Sequence, residues 1–347
     1  MKILITGNMG YLGTVLAKHL RATMRGARLY GYDSGFFAHC LTTKDRLPES
    51  VYAAQYFGDV RDFPAPLLDG VDAVVHLAAI SNDPIGNKFE KVTADINHDA
   101  TIALARAAID HGVKSFVFTS SCSLYGAAAD GARKESDALN PLTAYARSKA
   151  ACERDLRALN GKGMRITALR LATACGMSGR LRLDLVLNDF VASAMTEGTI
   201  KILSDGTPWR PLIDTQDIAR AIEWGLTRDR VAGDDFMAVN IGAQACNYQV
   251  HALAESVARA IPGVKIDINT KAAPDKRSYQ VDFGLFRNLA PRHQPQIDLD
   301  RSIAALRDGI ASSGIHQNRM DGAMLIRLKT LESHIDAGRL SADLRWT

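Results

Sequence analysis

A chain of 347 residues exceeds one ordinary domain, so a large unit plus a smaller one is expected. With 47% hydrophobic and 23% charged residues the composition is globular, and no run approaches the roughly 18 apolar residues of a membrane span. A formal charge of +4 is far from the basic stripe of a nucleic-acid binder, and five cysteines (Cys40, Cys122, Cys152, Cys175, Cys246) without a CxxC pair argue against a disulfide framework or a zinc site.

The opening residues, Met1 to Ile5, are too short an apolar run for a signal peptide. With the cysteine usage this leads to the expectation of a soluble, cytoplasmic protein. Lys2 to Thr6 reads as a strand buried on both faces, and Gly7-Asn8-Met9-Gly10-Tyr11-Leu12-Gly13 follows at once. A helix from Tyr11 to Met24 comes next. Strand, glycine turn and helix in that order form a site where unpaired N–H groups and the helix dipole favour a pyrophosphate. The next run, Arg28 to Tyr32, ends in Asp33, 20 residues after Gly13. An acidic side chain there accepts bonds from both adenosine ribose hydroxyls and repels a 2′-phosphate, which favours NAD over NADP.

Residues 34 to 50 are polar and irregular, and Tyr56 to Val60 ends another strand, with Asp59 placed to meet an adenine amino group. Val71 to Leu77 is a further strand; His76 at its end reads as a core histidine, and Ala78 and Ala79 let backbone lie close to a ligand. Asn87 to His111 reads as one long helix, with Asn97 in structural support. Ser115 to Thr119 is the next strand, and Ser120, Ser121 and Ser123 cluster at its carboxyl end, where parallel α/β sheets bind ligands.

Pro141 is expected to start a helix carrying Tyr145 and Lys149, four residues apart and so on one face. The alternation of strands and helices implies an α/β fold with a doubly wound parallel sheet (Rossmann) and a smaller, interleaved C-terminal substrate domain. After the strand Arg165 to Leu171 come a Gly- and Arg-containing loop at 176–182, a helix from Leu185 to Met195, and a strand from Lys201 to Leu203. A turn at 204–208, a helix from Asp214 to Trp224, a strand from Phe236 to Ile241 and a helix from Gln249 to Ala260 complete the pattern. The final 40 residues are polar and helical, without a motif. The expected division is residues 1–174 for the Rossmann domain, joined by 211–242, and 175–347 mainly for substrate.

GNMGYLG, the acidic residue after the second strand, HLAA, SSCSLYG, YARSK and WRPLIDTQDIA stand in the order and spacing of the extended short-chain dehydrogenase/reductase family. Within it the chain resembles the nucleotide-sugar epimerase/dehydratase group over nearly its whole length. The resemblance implies NAD as cofactor and a nucleotide-diphosphate sugar as ligand. It implies Tyr145 as acid/base, Lys149 as its partner and Ser121 as the hydrogen-bond donor to the reacting hydroxyl. A nearby ammonium and a positive nicotinamide ring would favour the phenolate of a tyrosine whose ordinary pKa is ~10.

By the same resemblance Gly7, Gly10, Tyr11, Leu12, Gly13, Asp33, Asp59, Val60, Leu77, Ala78, Ala79, Asn97, Ser120, Tyr145 and Lys149 line the dinucleotide site. Ser81, Asn82, Ser121, Ser123, Thr173, Arg180, Arg182, Asn188, Arg210 and Arg277 face the substrate. Asn188 and Arg210 would meet the diphosphate. Arg180 and Arg182 would meet an acidic sugar or stand as solvated loop arginines, and Arg277 would substitute for an arginine common in the epimerases.

Where the group's dehydratases carry an acidic residue just after the Ser/Thr, this chain has Cys122 and Ser123, which counts against water elimination. Cys122 reads as a packing residue. The resemblance leaves an epimerase and a net oxidoreductase (a dehydrogenase or 4-keto-sugar reductase) open, with a non-catalytic dinucleotide binder as the third reading. It also suggests a homodimer packed through the helices near 87–111 and 142–160, with Ala103, Ala107, Ala146 and Ala150 on their faces.

Overall fold

Seven short apolar stretches make one parallel sheet. They are β1 (Lys2–Thr6), β2 (Arg28–Asp33), β3 (Ala54–Phe57), β4 (Ala73–His76), β5 (Ser115–Ser121), β6 (Arg165–Leu171) and β7 (Phe236–Ile241), in the order β7-β6-β5-β4-β1-β2-β3. The computed structural model describes residues 1–44, 46–128, 131–230, 235–272, 278–313 and 324–347.

Period-two alternation sends Ile3 and Ile5 to one face of the sheet and Leu4 to the other. On the first face lie α1 (Tyr11–Thr23) and, from later in the chain, Ile218, Ala219 and Ile222. On the second lie Ile102, Leu104, Ala105, Cys152 and Leu156. The register pairs Thr6 with His76 and Tyr32, His76 with Phe118, and Ser121 with Leu171, so the carboxyl ends align along one edge. The strand order turns back between β1 and β4, and that switch point opens a crevice at this edge.

The expected single helix over 87–111 is broken. α2 (Asp83–Lys88) stops at Phe89, α3 (Glu90–Ala94) follows, a π-helical turn covers Asp95–Asp99, and α4 (Ala100–Asp110) completes the run. The widened turn is centred on Asn97, whose carbonyl accepts from the Thr101 hydroxyl at 2.6 Å and the Cys152 thiol at 2.9 Å. The next helix, α5 (Ala144–Arg157), begins after Pro141 rather than at it. Thr143 is its cap, accepting from Ala146 N–H at 3.1 Å and donating to Asp83 at 2.7 Å.

The smaller unit has its own core. The strand Thr173–Cys175 pairs with Trp209–Asp214, and Thr199–Ile202 pairs with Lys265–Ile268. Leu187, Phe190 and Val191 of α6 (Val186–Glu197) meet Leu253 and Val257 and, from the chain's later helix, Ile303, Leu306 and Ile310. α7 (Thr215–Thr227), capped by Asp214, and β7 return to the first unit.

Two further segments within 175–347 also pack on the first unit. Val281, Phe283, Phe286 and Ala290 pack in the first-face core. Residues 324–347 lie on the opposite side, where Leu331, Leu340 and Leu344 join Leu4, Tyr32, Phe36 and Val60. Trp346 donates its indole N–H to Ser34 O at 2.6 Å, Arg345 pairs with Asp62, and Arg61 donates to Asp343 O and Leu344 O. The apolar positions of this polar tail are therefore core, not filler. Ala146, expected on a dimer face, is buried within the chain, while Ala103 is exposed.

Among the described residues no helix is long and apolar enough to cross a membrane, and no group of three His, Cys, Asp or Glu is arranged to hold a metal. Leu331→Ala is expected to cost about 2–4 kcal/mol in a urea titration, as a core leucine does. A loss under ~0.5 kcal/mol would mark a loosely docked tail instead.

Candidate active site

A cleft of about 920 Å³ runs along the carboxyl edge of the sheet, from Asp33 and Asp59 to Arg210 and Tyr279. Its floor is the glycine turn. Gly7 has φ +71°, and a Cβ there would lie 2.4 Å from Ala78 N, so only glycine lets the turn rest on the strand-end of β4. A Cβ on Gly13 would lie 2.2 Å from Asn8 O; this glycine seats α1 on the turn and does not line the cleft. Gly10 caps α1 without a side-chain bond, and the first turn carries no acidic residue. That leaves the N-terminus suited to an anion.

Gly7, Gly10, Tyr11, Leu12, Asp33, Asp59, Val60, Leu77, Ala78 and Ala79 all line the cleft. Asp33 accepts from Met9 N–H at 2.9 Å and Gly35 N–H at 2.8 Å; burial holds its carboxyl above the usual range, partly offset by these bonds. Burial also works on Asp59, but the Arg61 guanidinium outweighs it and holds the carboxylate low. Asn97 does not reach the cleft. Its amide accepts from Ile80 N–H at 2.7 Å and donates to Ile80 O and Ser148, fixing the loop after β4 from behind.

Ser121 ends β5 and caps the 3-10 turn that follows, accepting from Ser123 N–H at 3.1 Å, with the two hydroxyls 2.9 Å apart. Tyr145 faces it from the first turn of α5. Desolvation pushes this phenol up to about 12, against the opposing pull of the Ser121 hydrogen bond and the Arg182 guanidinium. The expected lowering by Lys149 does not prevail here. Lys149 is buried, donates to Thr119 O at 2.7 Å, and its Nζ stands 4.6 Å from the Phe118 ring centroid and 5.9 Å from that of Tyr145. Burial brings its own pKa down to about 8.

Beneath these residues lies a buried ion pair that the motifs did not reveal. Arg170 of β6 and Glu153 of α5 meet at 2.7 Å, both under 10% exposed. Glu153 accepts from Ser120, and Arg170 donates to the Tyr125 hydroxyl at 2.9 Å, which donates to Asn240 at 2.7 Å. The sequence signal was there: an arginine inside the otherwise apolar strand RITALRL. Cys122 is fully buried, donates to Arg170 O and lies off the cleft.

Of the residues expected to face substrate, Ser81, Asn82, Ser121, Ser123, Thr173, Arg182 and Arg210 line the cleft. Arg182 pairs with Asp184 at 2.9 Å and donates to Ser81, while Asn82 donates to Asp184 at 2.6 Å. Arg180 and Asn188 do not line it. Arg180 is buried against Glu49 and Ala38 O, so it is neither a sugar contact nor a solvated loop arginine. Asn188 accepts from Gly176 N–H at 3.0 Å and donates to the Tyr11 hydroxyl and Arg182 O, which leaves nothing for a phosphate. Arg277 lies outside the described residues. Tyr279, just beyond it, lines the cleft.

The model of the NAD dependent epimerase/dehydratase family matches residues 3–242. The chain is 29% identical to the uncharacterized UDP-glucose epimerase YtcB of Bacillus subtilis over 250 residues, covering 70% of this chain and 77% of that protein. It is 30% identical to the dTDP-glucose 4,6-dehydratase of Streptomyces griseus over 253 residues, 72% and 74% of the two. Its fold is similar to that of the UDP-glucuronic acid 4-epimerase of Bacillus cereus, with a TM-score of 0.77 and 23% identity over 90% of this chain and 99% of that one.

The depressed Lys149 pKa has a consequence for stability. The group titrates at about 8 when folded, against an ordinary 10.5. The penalty for carrying its charge is complete below about pH 8 and is relieved as pH rises towards 10.5, where the unfolded chain binds more protons. Lys149→Met removes this dependence, while its lost bond to Thr119 O costs the same at every pH. Calorimetry is expected to show variant stability relative to wild type falling between pH ~7 and ~10. A pH-independent difference would refute the shift.

Proposed function

The chain belongs to the NAD dependent epimerase/dehydratase family, and from that premise we propose that it is an NAD-dependent nucleotide-sugar epimerase, acting at the sugar's 4-position through a transient 4-keto sugar. The observation that carries this reading is the placing of Ser121, Tyr145 and Lys149 in one cleft with the glycine turn, with no carboxyl on the residues that follow Ser121.

The residues fit the dinucleotide. Gly7 and Gly10 leave room for a pyrophosphate at an uncapped helix N-terminus, Asp33 suits the adenosine ribose and disfavours a 2′-phosphate, and Asp59 with Val60 bounds the adenine end. When bound, NAD supplies a hydride acceptor that returns the hydride later, and its oxidised ring adds positive charge beside Tyr145.

The chain's own residues handle the proton. Tyr145 takes it from the sugar hydroxyl at Oη and later gives it back; Ser121 and Arg182 already favour the phenolate, so one further positive charge acts in the same direction. Ser121 orients the hydroxyl, and Ser123 holds Ser121. Lys149, fixed by Thr119 O, keeps its ammonium beneath the site. Arg210 and Thr173 bound the end at which a nucleotide diphosphate would lie, and an arginine fork suits two phosphate oxygens at once.

Dehydration needs an acid at the leaving hydroxyl. Here Cys122 is buried away and Ser123 is an alcohol. Of the cleft's other carboxylates, Asp83 accepts from Thr143, Asp184 is paired with Arg182, and Asp33 and Asp59 lie at the far end on β2 and after β3. Asp189, which burial raises to about 6, lies on α6 and not on the residues that follow Ser121. A cytoplasmic homodimer built on α4 and α5 belongs to the same proposal, with Ala103 on the exposed side of α4; sedimentation of the purified protein tests it.

The first test is mass spectrometry of the small molecules released on denaturing freshly purified protein. Near-stoichiometric NAD is expected, together with interconversion of a UDP-sugar and its 4-epimer without net nicotinamide reduction. Net reduction with turnover would assign a dehydrogenase or reductase instead. Tyr145→Phe is expected to keep NAD binding and lower kcat by about 10²–10⁴-fold. A variant of near-normal activity would exclude Tyr145 as the acid/base.

A further inference from the structure

The family match ends at residue 242, yet a residue far beyond it reaches the cleft. Arg327 opens α8 (Arg327–Asp336) and is 2% exposed. Its Nη2 donates to Arg180 O at 2.9 Å, and its guanidinium carbon lies 4.6 Å from the Phe37 ring centroid. Its Nη1 is buried and has no hydrogen-bond partner among the described residues. The Cys40 thiol beside it donates to Met324 O and also meets the Arg327 guanidinium.

Three arginines, 180, 182 and 327, gather here. Glu49 neutralises Arg180 and Asp184 neutralises Arg182, and among the described residues no carboxylate forms an ion pair with Arg327. Burial depresses its guanidinium to about 10, with Arg182 and Arg180 adding repulsion and the Cys40 thiol and Asp184 pulling the other way. A buried cation without an ion pair of its own is costly, and an anionic ligand at Nη1 would offset that cost.

The surroundings identify the ligand's charged part. Ser178 donates to Tyr11 O, at the first residue of α1, at 2.7 Å; it accepts from Arg180 N–H at 3.2 Å; and Arg180 O receives Arg327. One loop thus connects the uncapped N-terminus of α1 to the unpaired guanidinium. On the other side Phe37 belongs to the segment that follows Asp33. Arg327 thus lines the same cleft as Asp33, Phe37 and the glycine turn.

We propose that Arg327 is a phosphate ligand, binding the pyrophosphate of the dinucleotide from the side opposite the glycine turn, so that the C-terminal segment supplies part of the cofactor site. This rests on reading the cleft as a dinucleotide site. The unpaired Nη1 gains an anionic acceptor, and the excess positive charge is cancelled.

The test is isothermal titration of NAD, ADP, adenosine and UDP into wild type, Arg327→Met and Arg327→Lys, with melting temperatures of the ligand-free proteins. Arg327→Met is expected to weaken NAD and ADP by about 10- to 100-fold, as loss of a charge-assisted phosphate contact does. Adenosine and UDP binding should be unchanged. Arg327→Lys should retain NAD within about tenfold of wild type.

NAD binding by Arg327→Met within about twofold of wild type would overturn the inference and leave the cofactor reading intact. Equal weakening of adenosine would mean a collapsed subsite, and weakening of UDP alone would give the guanidinium to the substrate; either refutes it. If Arg327→Met fails to fold because Arg180 O loses its donor, Arg327→Gln, which keeps a donor for that carbonyl but no charge, carries the test with the same outcomes. A wild type that binds no NAD would remove the cofactor reading, and the inference with it.

Discussion

Glu153 and Arg170 meet in a dry interior, and the rest of the reaction end is set by where they meet. One sits on α5 and the other on β6, so their bond fixes the helix bearing Tyr145 and Lys149 relative to the sheet that ends in Ser121. Each partner is satisfied several times over: Ser120 and Arg170 on the carboxylate, Tyr125 and the Glu135 carbonyl on the guanidinium. A buried pair is tolerable only when its remaining valences are filled in this way. The arrangement is directional, which an apolar packing contact would not be, and proximity chemistry is sensitive to displacements of about an ångström.

The same logic separates what the sequence made legible from what it hid. The glycine turn, Asp33, the hydroxyl cluster and the Tyr145–Lys149 spacing are local patterns, and strand and helix periodicity places them on the carboxyl edge without knowledge of the fold. Arg180 and Asn188 were misdirected because their partners, Glu49 and Tyr11, lie more than a hundred residues away. Asn97 was better understood from its own surroundings than from the resemblance, since an amide amid apolar residues is bound by backbone, here Ile80. The C-terminal segment appeared motif-free because its information lies in three leucines whose neighbours are at the other end of the chain.

Charge along the cleft follows a consistent division. At the adenosine wall, carboxylates are committed to backbone N–H groups or to Arg61. At the substrate end, Asp184 neutralises Arg182 and receives Asn82. Arg327 forms no ion pair among the described residues, and the N-terminus of α1 carries no acidic residue. A cleft built this way discriminates for ligands that bring negative charge at their middle, whatever lies at their ends.

The contact from Trp346 to Ser34 closes a span of 312 residues. Loop closure over such a distance comes late in folding, after the local βα units have formed. The adenosine wall is thus completed after the sheet that it covers, and until then Phe36 and Phe37 lack their apolar cover. A ligand that binds only the closed arrangement stabilises it by mass action. Folding of this side of the molecule and occupancy of the cleft by a ligand that touches it would therefore form one linked equilibrium.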